Sequence, residues 1–260
     1  MNKFCFATEA TYPNYTKRIK ENILGDYLHL ELDKKNVPFI VSTNRPEDFG
    51  EFKDHPTIKV FHIDDLRKDA PESLEYELLP ENPAGIYPSR YPFNTRRFTL
   101  KKAVELGCNS CYYFEADIKV NRGLNFTSDS FFNFLNDIYA PNTLTTNTTI
   151  FRYKNLKPDD VFNFHGQYIE KFGYNFKPDQ YDTVDGTLQF YMGETCDSLL
   201  NFYNTWNDLA LFGYRNAVNG GYGYKNNAHG VLSFAIPASN FTLREYGLPF
   251  YADHHPDERY

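Results

Sequence analysis

Asn94-Thr-Arg-Arg-Phe-Thr-Leu-Lys-Lys-Ala-Val-Glu-Leu-Gly107 runs directly into Cys108-Asn-Ser-Cys-Tyr-Tyr-Phe-Glu-Ala-Asp117, and the reading of this stretch decides the fold. Asn94 or Thr95 is placed to cap a helix, Leu100, Ala103 and Val104 form its apolar face, and Gly107 ends it. Residues 111–117 then read as a buried strand that closes on two acids. A helix of about 13 residues advances about 20 Å at 1.5 Å per residue. The strand covers a similar distance in return. Arg96 and Arg97 are thereby brought back to the edge where Glu115 and Asp117 stand. Both arginines border the apolar face, so at least one guanidinium points inward.

Upstream, Lys3 to Thr8 reads as a short buried strand. A turn at Tyr12-Pro13 leads into one helix with an apolar stripe at Tyr15, Ile19, Ile23, Tyr27 and Leu30. Strands follow at residues 37–43 and 57–63, the first stopped by Asn44-Arg45-Pro46. Strand, helix, strand at this spacing is a βαβ unit and implies parallel pairing. Residues 64–93, rich in Pro and acids, read as a long surface excursion. In such sheets ligands collect beyond the carboxyl ends of the strands. The first strand ends at Ala7-Thr8, the second at Thr43-Asn44-Arg45 and the fourth at Glu115-Ala116-Asp117, so the three ends share one edge with Arg96 and Arg97.

Downstream, helices are expected near residues 128–138 and 158–172, a β-prone run at 143–153, and a strand at 187–192. A longer helix spans 195–212, with Leu199, Phe202, Tyr203, Trp206, Leu209 and Ala210 on its apolar stripe. That placement makes Trp206 a core residue. Residues 219–223, Asn-Gly-Gly-Tyr-Gly, read as a flexible loop.

The chain has 260 residues, 41% hydrophobic and 23% charged, the balance of a folded globule with a full core. A net charge of −7, with no basic patch, argues against nucleic-acid partners. No stretch approaches the ~20 apolar residues of a membrane span. The opening Met1-Asn-Lys-Phe-Cys-Phe does not read as a signal peptide, so a cytoplasmic location is expected. Four cysteines fit a reducing compartment, and Cys108-x-x-Cys111, without a second pair, reads as buried thiols.

Two carboxylates ending an apolar strand cost stability unless something neutralises them. A divalent cation does so while bridging to phosphate oxygens, and arginine does so directly. If the strand stays regular, Glu115 and Asp117 point the same way, two residues apart. Cations, paired acids and small hydroxyls round one cleft suit a nucleoside diphosphate held through a metal.

At these residues the chain resembles the GT-A glycosyltransferases, with residues 94–120 similar to an arginine-bearing helix followed by a strand closing in a DxD-type motif. The layout is distantly similar to the family of the blood-group A/B and α1,3-galactosyl transferases. Phe6-Ala7-Thr8 resembles the first-strand segment that holds the nucleoside there, and Thr43-Asn44-Arg45 the end of the second strand. The resemblance implies an α/β fold: a GT-A-like open mixed sheet with helices on both faces and a Rossmann-like N-terminal half. It implies a donor site built from Phe6, Ala7, Thr8, Thr43, Arg45, Arg96, Arg97, Glu115 and Asp117. Residues 1–123 would bind the nucleotide sugar, and residues 124–260 would form the acceptor side and tail of the same compact domain.

The implied activity is metal-dependent transfer of a sugar from a nucleotide-sugar donor, a UDP-sugar, to a glycan or glycolipid. Mn²⁺ or Mg²⁺ would be held by Asp117 and Glu115, joined by His254 and His255 near the C-terminus. Glu115 departs from the family's Asp, which leaves its role open between ribose contact and metal ligand. Where the retaining relatives carry an acid, this chain reads Asn226-Asn227-Ala228-His229. Asp185, before Gly186, is then the candidate catalytic base for the acceptor hydroxyl. Two other readings remain: a nucleotidyltransferase, disfavoured because Thr8-Glu-Ala-Thr-Tyr-Pro13 is no glycine-rich loop, and a non-enzymatic carbohydrate-binding protein.

Overall fold

Phe4–Ala10 (β1) is the strand from which the strand order runs out to both sides, β2 and β3 on one and β4 on the other. A computed structural model describes residues 2–10, 13–68, 96–116, 127–146, 150–152, 182–184, 188–220 and 228–246. After β1 come Pro13–Glu21 (α1), Ile23–His29 (α2), Phe39–Thr43 (β2), a 3-10 turn at Pro46–Phe52, Ile58–His62 (β3) and Ile63–Arg67 (α3). Arg97–Glu105 (α4), Ser110–Phe114 (β4), Ser128–Asp137 (α5), Thr143–Thr146 (β5) and Ile150–Arg152 (β6) follow. The second half adds Asp182–Val184 (β7), Leu188–Met192 (β8), Cys196–Gly220 (α6), Ala228–Ala238 (α7) and Thr242–Glu245 (β9).

Seven strands form one sheet in the order β3-β2-β1-β4-β8-β5-β9, and β6 pairs with β7 separately. β3, β2, β1 and β4 are all parallel, as the βαβ spacing requires. β8 runs antiparallel to both β4 and β5, and β9 parallel to β5, which makes the sheet mixed. The expected GT-A-like architecture of an open mixed sheet covered on both faces is therefore present.

Alternation along the strands divides the core in two. Phe4, Phe6, Tyr112, Phe114 and Phe190 face α1, α2 and α5. Cys5, Ala7, Cys111, Tyr113 and Tyr191 face α4, α6 and α7. β1, β2, β4 and β8 bury both faces and so read as near-continuous apolar runs. Trp206 is fully buried among Tyr191 and Phe202. Cys108 and Cys111 are buried free thiols beside Cys5.

Local chemistry explains most boundaries. Thr127 caps α5 with a reciprocal pair: its Oγ1 accepts from the Ser130 amide (3.2 Å), and its own amide donates to Ser130 Oγ (2.9 Å). Gly107, at φ 76°, turns the chain out of α4 where a side chain would be strained. Asn94 and Thr95, the expected caps of that helix, lie outside the described residues.

Four expectations need correction. The single helix expected after Tyr12 is two, broken at Asn22 (φ −103°, ψ −86°), although Ile19, Ile23 and Tyr27 keep one buried face. The strand expected to reach Asp117 stops at Phe114, where its pairings to Thr8 and Leu188 end. The alternation that would align Glu115 with Asp117 therefore does not apply. Asn219 and Gly220 belong to the end of α6 rather than to a loop. Residues 64–67, placed at the start of an irregular excursion, belong to a short helix with Ile63, the expected last residue of the third strand, and the helix is capped by His62, whose side chain accepts from the Asp64 amide. The helix expected at 158–172 lies outside the described residues.

Candidate functional site

β1 pairs with β2 on one side and β4 on the other, so the crevice between the ends of β1 and β4 is the sheet's topological switch point. α4 begins there. Arg96 Nη2 donates to Glu115 Oε1 at 2.9 Å, joining the start of the helix to the end of the strand. The side chains are 5% and 20% exposed, so the pair is largely removed from water. The Arg96 guanidinium also lies 4.9 Å from the centre of the Tyr113 ring. Burial alone would pull the arginine's pKa down, but Tyr113, Glu115 and Tyr191 together hold it above its ordinary value. Arg96 therefore stays cationic, and its charge is shared with a neighbouring acid.

Arg97 is fully buried and turns the other way: its Nε donates to Asn207 on α6 at 3.0 Å. That contact ties α4 to α6. The two adjacent arginines, both expected near the edge, thus divide between the crevice and the helix layer.

At β2, Thr43 is fully buried and donates through Oγ1 to the Ala10 carbonyl at 2.7 Å while accepting from the Arg45 amide at 3.0 Å. It fastens the ends of β1 and β2 together. Arg45 is bound to Asp48 within the 3-10 turn, Nε to Oδ2 at 2.9 Å. Phe6 packs edge-on against Phe39 and Phe114, and Ala7 faces the opposite core. Thr8 is fully buried, and its Oγ1 has no hydrogen-bond partner among the described residues.

Several residues at this edge were not singled out from the sequence. Glu9, on the face of Cys5 and Ala7, is one of them. Tyr113 is another: burial pushes its pKa up, Arg96 opposes this, and the charges of Glu9 and Glu115 add to it. Gln189, on β8, stands in register with Tyr113 and accepts from the Tyr191 hydroxyl at 2.5 Å. An acid in the otherwise apolar run Phe-Cys-Phe-Ala-Thr-Glu-Ala was the available signal for Glu9.

Asp117, Asp185, His254 and His255 lie outside the described residues. Among the described residues no three His, Cys, Asp or Glu side chains come together as a cation would require. The one carboxylate of the expected metal set that is described, Glu115, shares its Oε1 with Arg96. The described side chains thus do not amount to a metal site by themselves.

No family model matches the chain, and no curated protein sequence does. Solved structures do. Core-mannan synthase A from Aspergillus fumigatus, in its Mn/GDP form, superposes with a TM-score of 0.52 over 98% of this chain and 75% of that one, at 11% identity. The mannosyltransferase Ktr4p from S. cerevisiae gives 0.51 over 90% and 65%, also at 11% identity. Mouse xyloside xylosyltransferase 1, apo form, gives 0.45 over 94% and 84%, at 6% identity. The chain has the fold of the two mannosyltransferases.

Proposed function

We propose that the chain is a glycosyltransferase that moves a sugar from a nucleotide-sugar donor to a glycan or glycolipid acceptor. The observation that carries this reading is the buried Arg96–Glu115 pair at the switch point of a sheet shared with two mannosyltransferases. Residues 1–123 contribute the crevice, and residues 124–260 the acceptor side, within one continuous sheet. The similarity of residues 94–120 to the blood-group A/B and α1,3-galactosyl transferases supports a UDP-sugar as donor.

Mn²⁺ or Mg²⁺ is the cofactor of this reading, with Asp117 as its principal ligand and His254 or His255 completing the shell from the C-terminal tail. Glu115, engaged with Arg96, suits a ribose hydroxyl at least as well as a cation. Asp185, just past β7, is the proposed base toward the acceptor hydroxyl. Phe6, Ala7, Thr8, Thr43 and Arg45 shape the floor of the crevice, and Arg97 braces the helix that presents Arg96. Among the described residues no helix is long and apolar enough to cross a membrane. A cytoplasmic location is part of the proposal.

Thermal unfolding against UDP, GDP, CDP and ADP, each with Mn²⁺, Mg²⁺ or EDTA, tests the reading. A ligand at about 100 times its dissociation constant adds about 2.7 kcal/mol to the native state. For a chain of this size that is a rise of roughly 5 °C. Stabilisation by a diphosphate only with metal, lost in Asp117→Asn, is the expected result. A flat panel at saturating nucleotide would remove the donor site from consideration.

A further inference from the structure

The edge of the sheet opposite the crevice gathers thiols. Cys5 is the second residue of β1 and Cys111 the second of β4, and the two are in register on neighbouring parallel strands. Cys108 stands two residues before β4, in the turn that Gly107 opens after α4. All three belong to the core that faces α4, α6 and α7, and none forms a disulfide. Cys5 lies five residues short of Ala10, about 16 Å from the crevice along β1 at about 3.3 Å per residue.

The three thiols are not equivalent. Cys5 is at their centre: its thiol meets those of both Cys108 and Cys111, and its Sγ donates to the Ser110 carbonyl at 3.7 Å. Cys111 Sγ also meets Thr99 Oγ1, at 3.9 Å. Cys108 alone of the three keeps any exposure, 3% against 0% for the others. A thiol's reactivity follows its thiolate character and its access, and core thiols in apolar surroundings are inert because burial raises their pKa. Cys108 departs from that pattern. The hydrogen bond from Cys5 pulls its pKa below the ordinary value, and the charge of Lys3 adds to this, against the effect of burial. Burial pushes the Cys5 thiol well up, so it stays protonated and remains the donor.

We infer that Cys108 and Cys5 form a peroxide-reactive pair, with Cys108 as the attacking sulfur and Cys5 as the one that resolves it. The Cys108 thiolate attacks one oxygen of hydrogen peroxide and the O–O bond breaks, leaving Cys108 sulfenic acid. The hydroxide released takes up the proton that Cys108 had lost and becomes water. The Cys5 sulfur then attacks the Cys108 sulfur, the S–O bond breaks, and the Cys5 proton leaves with the hydroxide as a second water. Two thiols and one peroxide thus give one disulfide and two waters, with two electrons passed from sulfur to oxygen. The product ties the start of β1 to the turn between α4 and β4, the two elements beyond whose far ends Arg96 and Glu115 meet. A dithiol reverses it by exchange. The pair stands apart from the nucleotide-sugar reading and does not depend on it.

The test is mass spectrometry of the folded full chain after a small excess of hydrogen peroxide, with the remaining thiols alkylated and each modified cysteine located by fragmentation. The expected product has lost two hydrogen atoms, carries a bridge between Cys5 and Cys108, keeps Cys111 as an alkylated thiol, and returns to the starting mass with dithiothreitol. In Cys5→Ala the resolving sulfur is gone, so Cys108 should pass on to sulfinic and sulfonic acid, gains of two and three oxygens that dithiothreitol does not reverse. Three outcomes in the parent chain overturn the inference: a bridge that uses Cys111 or the half-buried Cys196 instead, direct over-oxidation of Cys108, or Cys5 and Cys108 both left as thiols. None of these needs a variant to fold. A folded Cys5→Ala in which Cys108 takes up no oxygen overturns it as well.

Discussion

Replacing Glu115 by Gln keeps the shape of the side chain and removes the charge that faces Arg96. The guanidinium is left where the fold puts it, with its side chain 5% exposed and its bonded carboxylate gone. Breaking a fully buried pair from one side costs about 3–5 kcal/mol. A solvated pair is worth about 0–1 kcal/mol. Glu115 keeps 20% of its side chain in water, which moves the expected loss to about 2–3 kcal/mol. Unfolding entropy of about 2.1 cal/mol/K per residue makes roughly 0.55 kcal/mol per degree for a chain of 260 residues. The melting temperature should fall by roughly 4–5 °C. Urea unfolding, followed by the single tryptophan, gives the free energy directly. The same change in an Arg96→Met background should cost under about 1 kcal/mol, because no buried cation is stranded. A loss below about 0.5 kcal/mol in the parent chain, or equal losses in both backgrounds, would refute the account of a desolvated pair at the crevice.

Two further changes probe the frame that holds the site. Trp206→Ala empties the fully buried position between Tyr191 and Phe202 and should cost about 3–5 kcal/mol by urea unfolding followed by circular dichroism; a loss under about 1 kcal/mol would mean that this layer is not packed as described. Gly193→Ala puts a methyl group 2.8 Å from the Thr195 carbonyl and 2.9 Å from the Leu199 amide. Both are backbone atoms that cannot step aside, so a loss of about 1–3 kcal/mol is expected, and an unchanged melting temperature would show that the turn yields.

Most of the parallel half of the sheet was legible because β1, β2 and β4 are buried on both faces and read as apolar runs closed by polar residues. Arg96 meeting Glu115 was legible for a metric reason: a helix and a strand of matched length return the chain to the same edge. In the antiparallel half β5 and β8 were legible too, while β9 and α7 were not. β9, Thr-Leu-Arg-Glu, has exposed ends and contains one apolar residue, so nothing in it announces an edge strand. α7, Ala-His-Gly-Val-Leu-Ser-Phe-Ala-Ile-Pro-Ala, is apolar on most sides and ends beside Pro237, which hides its period. Glu9 escaped notice because one acid near a strand end reads as solvated. Its register with Ser42, on the face that carries Tyr113, is what places it beside the candidate site.

The position of β8 also bears on how the chain matures. Phe114 of β4 must wait for Leu188, and Thr143 of β5 for both Met192 and Thr242. A ribosome releasing this chain from its N-terminus exposes the free side of β4 for as long as the intervening residues take to emerge. Pairing across such distances is slow, and an open strand edge is an invitation to other chains. The half that carries Arg96 and Glu115 is thus unsuited to life as a fragment: severed before β8, it would present a sticky border where the intact protein has a sheet interior.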